Sequence, residues 1–198
     1  MRRSLLFVVL ALALTAAAPA RAAGPTDVIR VLNDTLLDVM KNADSLKFQG
    51  RYQKLQPVIE RSFDLPLMAR LTVGPPWQNL APEQQKQIAT AFEDFTVSTY
   101  ASRFDGYSGE KFEIDPQAQQ TNNGMLVQSR IVKSDGEPVQ LNYLMRESGG
   151  AWKIIDVFLS GTVSELASRR SEFSAVLRRE GADGLVRLLQ SRSAEMRK

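Results

Sequence analysis

Between residues 25 and 105 apolar side chains recur at helical spacing. Between 111 and 160 they alternate as in strands, and from 164 to 197 the helical period returns. The first helix is predicted over 25–41, with Val28, Val31, Leu32, Thr35 and Val39 on one stripe and Thr26 or Asp27 at its start. A second is predicted over 52–62, with Leu55, Val58 and Ile59 on one face. A third follows Asp64 as N-cap, carries Leu67, Met68 and Leu71, and is stopped by Gly74-Pro75-Pro76. The longest is predicted over 82–103, opened by Pro82. Its apolar stripe is Ile88, Phe92, Phe95, Thr99 and Ser102, flanked by Ala91, Tyr100 and Phe104. Glu83, Lys86, Gln87, Glu93 and Asp94 lie opposite.

Four strands are predicted, at about 111–115, 125–133, 138–147 and 151–159, with Asp135-Gly136 and Gly149-Gly150 as hairpin turns between the last three. Val139, Leu141, Tyr143 and Met145 share one face of the third strand, opposite Gln140, Asn142 and Arg146. On the fourth, Trp152, Ile154 and Phe158 are assigned to one face and Ile155, Val157 and Leu159 to the other. The closing helical region carries Leu166, Phe173, Val176 and Leu177, then Leu185, Val186, Leu188 and Leu189, with Gly181 as a break. The expected fold class is α+β, with helices packed on one side of a curved, mostly antiparallel four-stranded sheet. No linker divides residues 23–198, so one domain is expected. The layout resembles the nuclear-transport-factor-2-like cone, which implies an internal apolar cavity between sheet and helices.

The N-terminus changes the charge picture. Arg2 and Arg3 precede an apolar run from Leu5 to Leu14, too short to span a bilayer, and Ala20-Arg21-Ala22 supplies a cleavage motif. Residues 1–22 are therefore expected to be a cleaved secretory signal peptide, with Ala23 first in the mature chain; a cut after Ala20 is the alternative. Of the 25 Lys+Arg, three (Arg2, Arg3, Arg21) lie in this segment, which has no acid, so 22 cations face 22 anions in the mature chain. A neutral chain gives no electrostatic reason to expect nucleic acid as a partner. The chain contains no Cys and no His. That excludes disulfides, Ser-His-Asp and Cys-His catalysis, and His-based zinc sites.

Few residues remain for catalysis. Asp156 sits in an apolar strand, where a desolvated carboxylate acts as a general base; the structural alternative pairs it with an Arg or backbone donors. Tyr143 is the candidate acid or a core aromatic. Arg169-Arg170 and Arg178-Arg179 are read as a solvated helical face, and Trp77 as a staple holding its loop to the core. No metal-ligand spacing and no glycine-rich phosphate loop is present.

The order of several short phrases resembles the periplasmic phospholipid-shuttle family typified by MlaC, also called the toluene-tolerance family. These are Phe63-Asp64, Ala69, Gly74 and Trp77; Gln84, Phe92, Phe95 and Tyr100; Tyr143 and Trp152-Lys153-Ile154-Ile155-Asp156-Val157; then Gly161, Arg169 or Arg170, Phe173, Gly181 and Leu185. The family pattern Gly-Val-Ser-Leu is lengthened here to Gly161-Thr162-Val163-Ser164-Glu165. With Phe104-Asp105-Gly106-Tyr107-Ser108-Gly109-Glu110, this resembles the hopanoid-associated HpnM branch. The resemblance implies a periplasmic carrier of phospholipid or hopanoid-type lipid between inner and outer membrane. Its partners would be membrane-bound lipid-transport complexes, with no nucleic acid, no cofactor beyond the lipid cargo, no catalysis and a monomeric state. Burying lipid tails gains about 0.8 kcal/mol per CH₂. The expected cavity is walled by Leu67, Met68 and Leu71 and by Phe92, Phe95 and Tyr100. Its floor is Leu141, Tyr143 and Met145, extended by Ile154 and Phe158. Two competing readings are an isomerase-like enzyme using Asp156 and Tyr143, and a protein-binding adaptor with a filled core.

N-terminal sequencing of the exported protein is expected to begin at or near Ala23. Recovery of the chain in membranes with Met1 retained contradicts the signal-peptide reading.

Overall fold

The structure is a computed structural model that describes residues 23–198. The predicted signal peptide, residues 1–22, lies outside the described residues.

Helices α1 (Pro25–Lys41), α2 (Ala43–Ser62), α3 (Leu65–Val73) and α4 (Pro82–Arg103) precede the sheet, and α5 (Glu165–Met196) follows it. Local chemistry sets most of the ends. Asp64 caps α3 by accepting the Leu67 N–H at 3.1 Å. At α4, Pro82 occupies the first turn and Gln84 Oε1 accepts the Ala81 N–H at 3.0 Å. Gly74 ends α3 with φ 76, and its missing side chain leaves room for the Arg170 guanidinium, 2.7 Å from where a Cβ would stand. α5 breaks at Gly181 (φ 70), as its sequence predicts. α2 starts earlier than predicted and kinks at Lys47 (φ 51).

The phase of two helical stripes differs from the prediction. In α1 the buried stripe is Ile29, Leu32, Leu36, Val39 and Met40, while Val31 is exposed. In α3 it is Leu65, Met68, Ala69, Thr72 and Val73, while Leu67 is half-buried and Leu71 exposed. Both segments are rich enough in apolar residues to offer two possible faces, and the neighbouring helices decide which is buried.

The sheet is an antiparallel meander as expected, divided into seven strands rather than four. They are β1 (Lys111–Ile114), β2 (Gln119–Thr121), β3 (Gly124–Val127), β4 (Ser129–Val132), β5 (Pro138–Ser148), β6 (Ala151–Leu159) and β7 (Val163–Ser164). β3 and β4 both pair with the same edge of β5, and the ladder lapses only at Gln128 and Ser129. There the Asn142 side chain accepts the Ser129 N–H at 3.4 Å in place of a backbone carbonyl. β1 pairs with β4 and β2 with β3, so the first two layers are each one broken strand. Only glycine fits at the start of β3. Gly124 has φ 142, and a Cβ would lie 2.2 Å from the Met145 carbonyl oxygen.

β6 is the central organiser. One edge pairs with β5; the other takes β7 at its end and a bridge from Phe63 to Ile154, with the Asp64 N–H donating to the Ile154 carbonyl at 2.9 Å. Its pairing with β5 slips by one residue: Leu144 faces Asp156, but Met145 faces Ile154, leaving Ile155 as a bulge. A one-residue insertion reverses the facing of everything beyond it. Ile154 therefore shares its face with Val157 and Leu159, while Asp156 and Phe158 turn to the opposite side. This corrects the expectation that Ile154 and Phe158 lie together.

The helices cover the concave face. α1 packs on β1, β3 and β6, α2 and α3 on β6, and α5 on β6 and β7. α4 is different: it packs against α2, α3 and α5 and stands off from the strands. The space under it is the cavity described next.

Candidate functional site

The aromatic stripe of α4 faces the sheet without reaching it, and an apolar cavity of about 270 Å³ lies between. α4 and its C-cap supply the roof: Phe92, Phe95, Thr96, Thr99, Tyr100, Arg103 and Phe104. The floor is Ile131, Val139 and Leu141 with Val157 and Leu159, all on the concave face. Phe63 and Met68 beneath α3, and Glu165, Leu166 and Arg169 at the start of α5, complete the walls. The aromatic rings brace one another. Phe63 meets Tyr100 edge-on at 5.6 Å between centroids, and Tyr100 stacks on Phe104 at 5.7 Å.

Of the residues predicted to form this cavity, Met68, Phe92, Phe95, Tyr100 and Leu141 line it. Leu67 and Leu71 do not, because α3 presents its other face. Tyr143, Met145 and Ile154 lie on the correct face of the sheet but further along it, fully buried where α1 and α2 cover β3 and β6. Phe158 is turned away by the bulge at Ile155. The pattern of period two did indicate Val157 and Leu159 as one face of β6; only their placement relative to Ile154 depended on the bulge. Thr96 and Arg103 fall on the Phe92–Thr99 stripe by helical spacing alone and were legible there. Val139 shares the face of Leu141 by the same alternation, while Ile131 required the register of β4 on β5.

The cavity contains only three charged side chains, gathered at one end. Arg169 donates from Nη2 and Nε to Glu165 Oε2 at 2.8 and 3.2 Å, and Arg103 Nη1 lies 3.8 Å from the other oxygen of Glu165. The Arg169 guanidinium stacks 4.6 Å from the Phe95 ring centroid. Arg169 is thus a half-buried rim residue, which corrects its assignment to a solvated face; Arg178 and Arg179 are exposed. Burial pushes the Tyr100 and Tyr143 hydroxyls well above the usual phenol range, so both remain protonated. The Tyr143 hydroxyl has no hydrogen-bond partner among the described residues.

Asp156 and Tyr143 stand on opposite faces of the sheet, because Tyr143 pairs with Val157 and Asp156 with Leu144. The Asp156 carboxylate accepts the Val157 N–H at 2.8 Å, the Ser164 hydroxyl at 2.5 Å and the Leu166 N–H at 3.3 Å. Ser164 is itself the N-cap of α5, accepting the Ala167 N–H at 3.0 Å. Asp156 therefore ties the first turn of α5 to β6, and the paired acid and base of an isomerase are not assembled. Trp77 packs partly buried against the core, as the staple reading expects. No cluster of three or more His, Cys, Asp or Glu among the described residues is placed to hold a metal ion.

Residues 30–191 match the sequence model of the family described as MlaC protein. The toluene tolerance protein ttg2D of Pseudomonas putida is 23% identical over 188 residues, covering 92% of this chain and 85% of that protein. A phospholipid-binding protein from Ralstonia solanacearum, solved in complex with a phospholipid, superposes with a TM-score of 0.76. It is 26% identical and covers 89% of this chain and 100% of that one.

Asp156→Asn removes the charge from three hydrogen bonds, two of them to the start of α5. Urea unfolding is expected to show a loss of about 1–3 kcal/mol, with no turnover of any substrate affected. A variant of unchanged stability that has lost a measurable turnover contradicts the structural role.

Proposed function

The chain belongs to the MlaC protein family, and from that premise we propose that it is a periplasmic carrier. It binds a phospholipid by its acyl chains in the cavity under α4 and moves it between the inner and outer membranes. The observation that carries this reading is an apolar space between α4 and the sheet, walled by side chains from α3, α4, β4, β5, β6 and α5. A void lined by Phe92, Phe95, Leu141 and Val157 gains nothing for a well-packed fold, since unfilled space forfeits dispersion contacts. It gains substantially from a hydrocarbon guest, at about 0.8 kcal/mol per buried CH₂. The phospholipid-bound Ralstonia protein, with the same architecture over nearly the whole chain, supports the class of cargo.

At about 270 Å³ the cavity is at the lower edge of the ~300–1,000 Å³ usual for ligand pockets. A lipid with two chains therefore needs a wall that yields. α4, held mainly by other helices, is that wall. Membrane-bound complexes load and unload the carrier, because a lipid leaving a bilayer must pass from one apolar surface to another. A hopanoid-type cargo is a second reading. It rests on the lengthened Gly161–Glu165 segment, which forms β7 and brings Val163 opposite Leu159 at the edge of the cavity.

Leu141→Trp distinguishes a carrier from a filled core. The floor residue is 9% exposed and faces the cavity. The expected result is near-wild-type thermal unfolding of the delipidated protein and sharply reduced lipid in an organic extract. Overpacking a filled core instead costs about 1–3 kcal/mol. A strongly destabilised variant, with no lipid in the wild type either, contradicts the carrier reading. Delipidated samples are essential because bound ligand raises apparent stability.

A further inference from the structure

We propose that Arg103 and Arg169 receive the phosphate of the cargo, and that Glu165 is an internal stand-in anion holding them at the cavity until it arrives. The inference rests on the carrier reading above and concerns how its site selects a ligand.

An apolar cavity has no use for charge unless the charge meets something. Here the three charged lining residues are neighbours: Arg169 binds Glu165 through two nitrogens at 2.8 and 3.2 Å, and Arg103 approaches the same carboxylate at 3.8 Å. Two cations share one anion, so the cluster keeps a net positive charge beside hydrocarbon. Arg169 and Glu165 side chains are each 19% exposed, so the pair is shielded from water on most sides and interacts more strongly than a surface pair. The Phe95 ring, 4.6 Å from the Arg169 guanidinium, fixes that cation to the roof that also contacts the chains. A phosphate diester offers two free oxygens with geometry suited to guanidinium forks. It can bridge Arg103 and Arg169 where Glu165 reaches both only unequally. Entry of a headgroup phosphate then gives both cations a new anion as Glu165 leaves them, so neither arginine is left without a counter-charge.

The test uses delipidated full-length mature protein and three probes: dioctanoylphosphatidylglycerol, dioctanoylglycerol with the same chains and no phosphate, and inorganic phosphate. Affinities are read by displacement of a fluorescent apolar probe and by calorimetry. Wild type is expected to bind the phosphate lipid about tenfold or more tightly than diacylglycerol, and inorganic phosphate only weakly. Arg169→Gln should abolish that preference, weakening phosphate-lipid binding far more than diacylglycerol binding; Arg169→Lys should restore part of it. Glu165→Gln should tighten phosphate-lipid binding, an effect that a folding defect does not produce. Equal affinities for the two lipids in wild type, or a preference indifferent to all three variants, overturn the proposal and leave the carrier reading standing. Binding of inorganic phosphate as tight as that of the lipid, and lost in Arg169→Gln, also overturns it, because the site then serves free phosphate. Failure of wild type to bind either lipid contradicts the carrier reading itself.

Discussion

One extra residue in β6 determines what the cavity is. The bulge at Ile155 reverses the facing of the strand beyond it. Without it, Asp156 and Phe158 would face the helices and Val157 and Leu159 would face away. With it, the floor beneath α4 is entirely apolar, and the strand's one carboxylate is delivered to the far face. There the start of α5 satisfies it with the Ser164 hydroxyl and the Leu166 N–H. The same displacement therefore supplies a lipid-compatible floor and anchors the helix that closes the side. It also separates Asp156 from Tyr143, the pair an enzyme on this scaffold would have needed.

The second constraint is where the helices do and do not touch the sheet. α1 and α2 cover the end bearing Tyr143, Met145 and Ile154, and there the fold is a filled core. α4 packs mainly against α2, α3 and α5, so its aromatic stripe overhangs the end bearing Ile131, Val139 and Leu141. One half of the concave face is thus committed to stability and the other half is left for a guest. The two buried phenols stay neutral, and the only charges in the guest half are the Arg103–Glu165–Arg169 group at one end.

Much of this was legible in the sequence. The order of helices and strands, the antiparallel meander, the Gly181 break and the α4 stripe all follow from periodicity and punctuation. What was not legible follows from tertiary choices. α1 and α3 each carry two apolar faces, and only packing picks Ile29–Leu32–Leu36 over Val31, or Met68 over Leu67 and Leu71. The bulge leaves no mark in a strand apolar on both sides, and simple alternation puts Phe158 with Ile154. Tyr143 and Met145 have the right facing but the wrong position along the strand, because alternation reports the face of a sheet and not which helix covers it. Arg169 looked like a surface cation in a basic run, and its partner Glu165 and its contact with Phe95 appear only in three dimensions.

The central claim is that a lipid chain occupies the space between α4 and the floor set by the bulge. Methyl-resolved NMR of the delipidated protein titrated with a phospholipid tests it directly. The account predicts that the methyl signals of Ile131, Leu141, Val157, Leu159 and Met68 move together. Those of Ile155 and Leu144, on the bulge and the opposite face, and of Leu36 in the α1 core should stay in place. Shifts at Ile155 and Leu144 without shifts at Val157 and Leu159, or no shifts in the presence of saturating lipid, would contradict it.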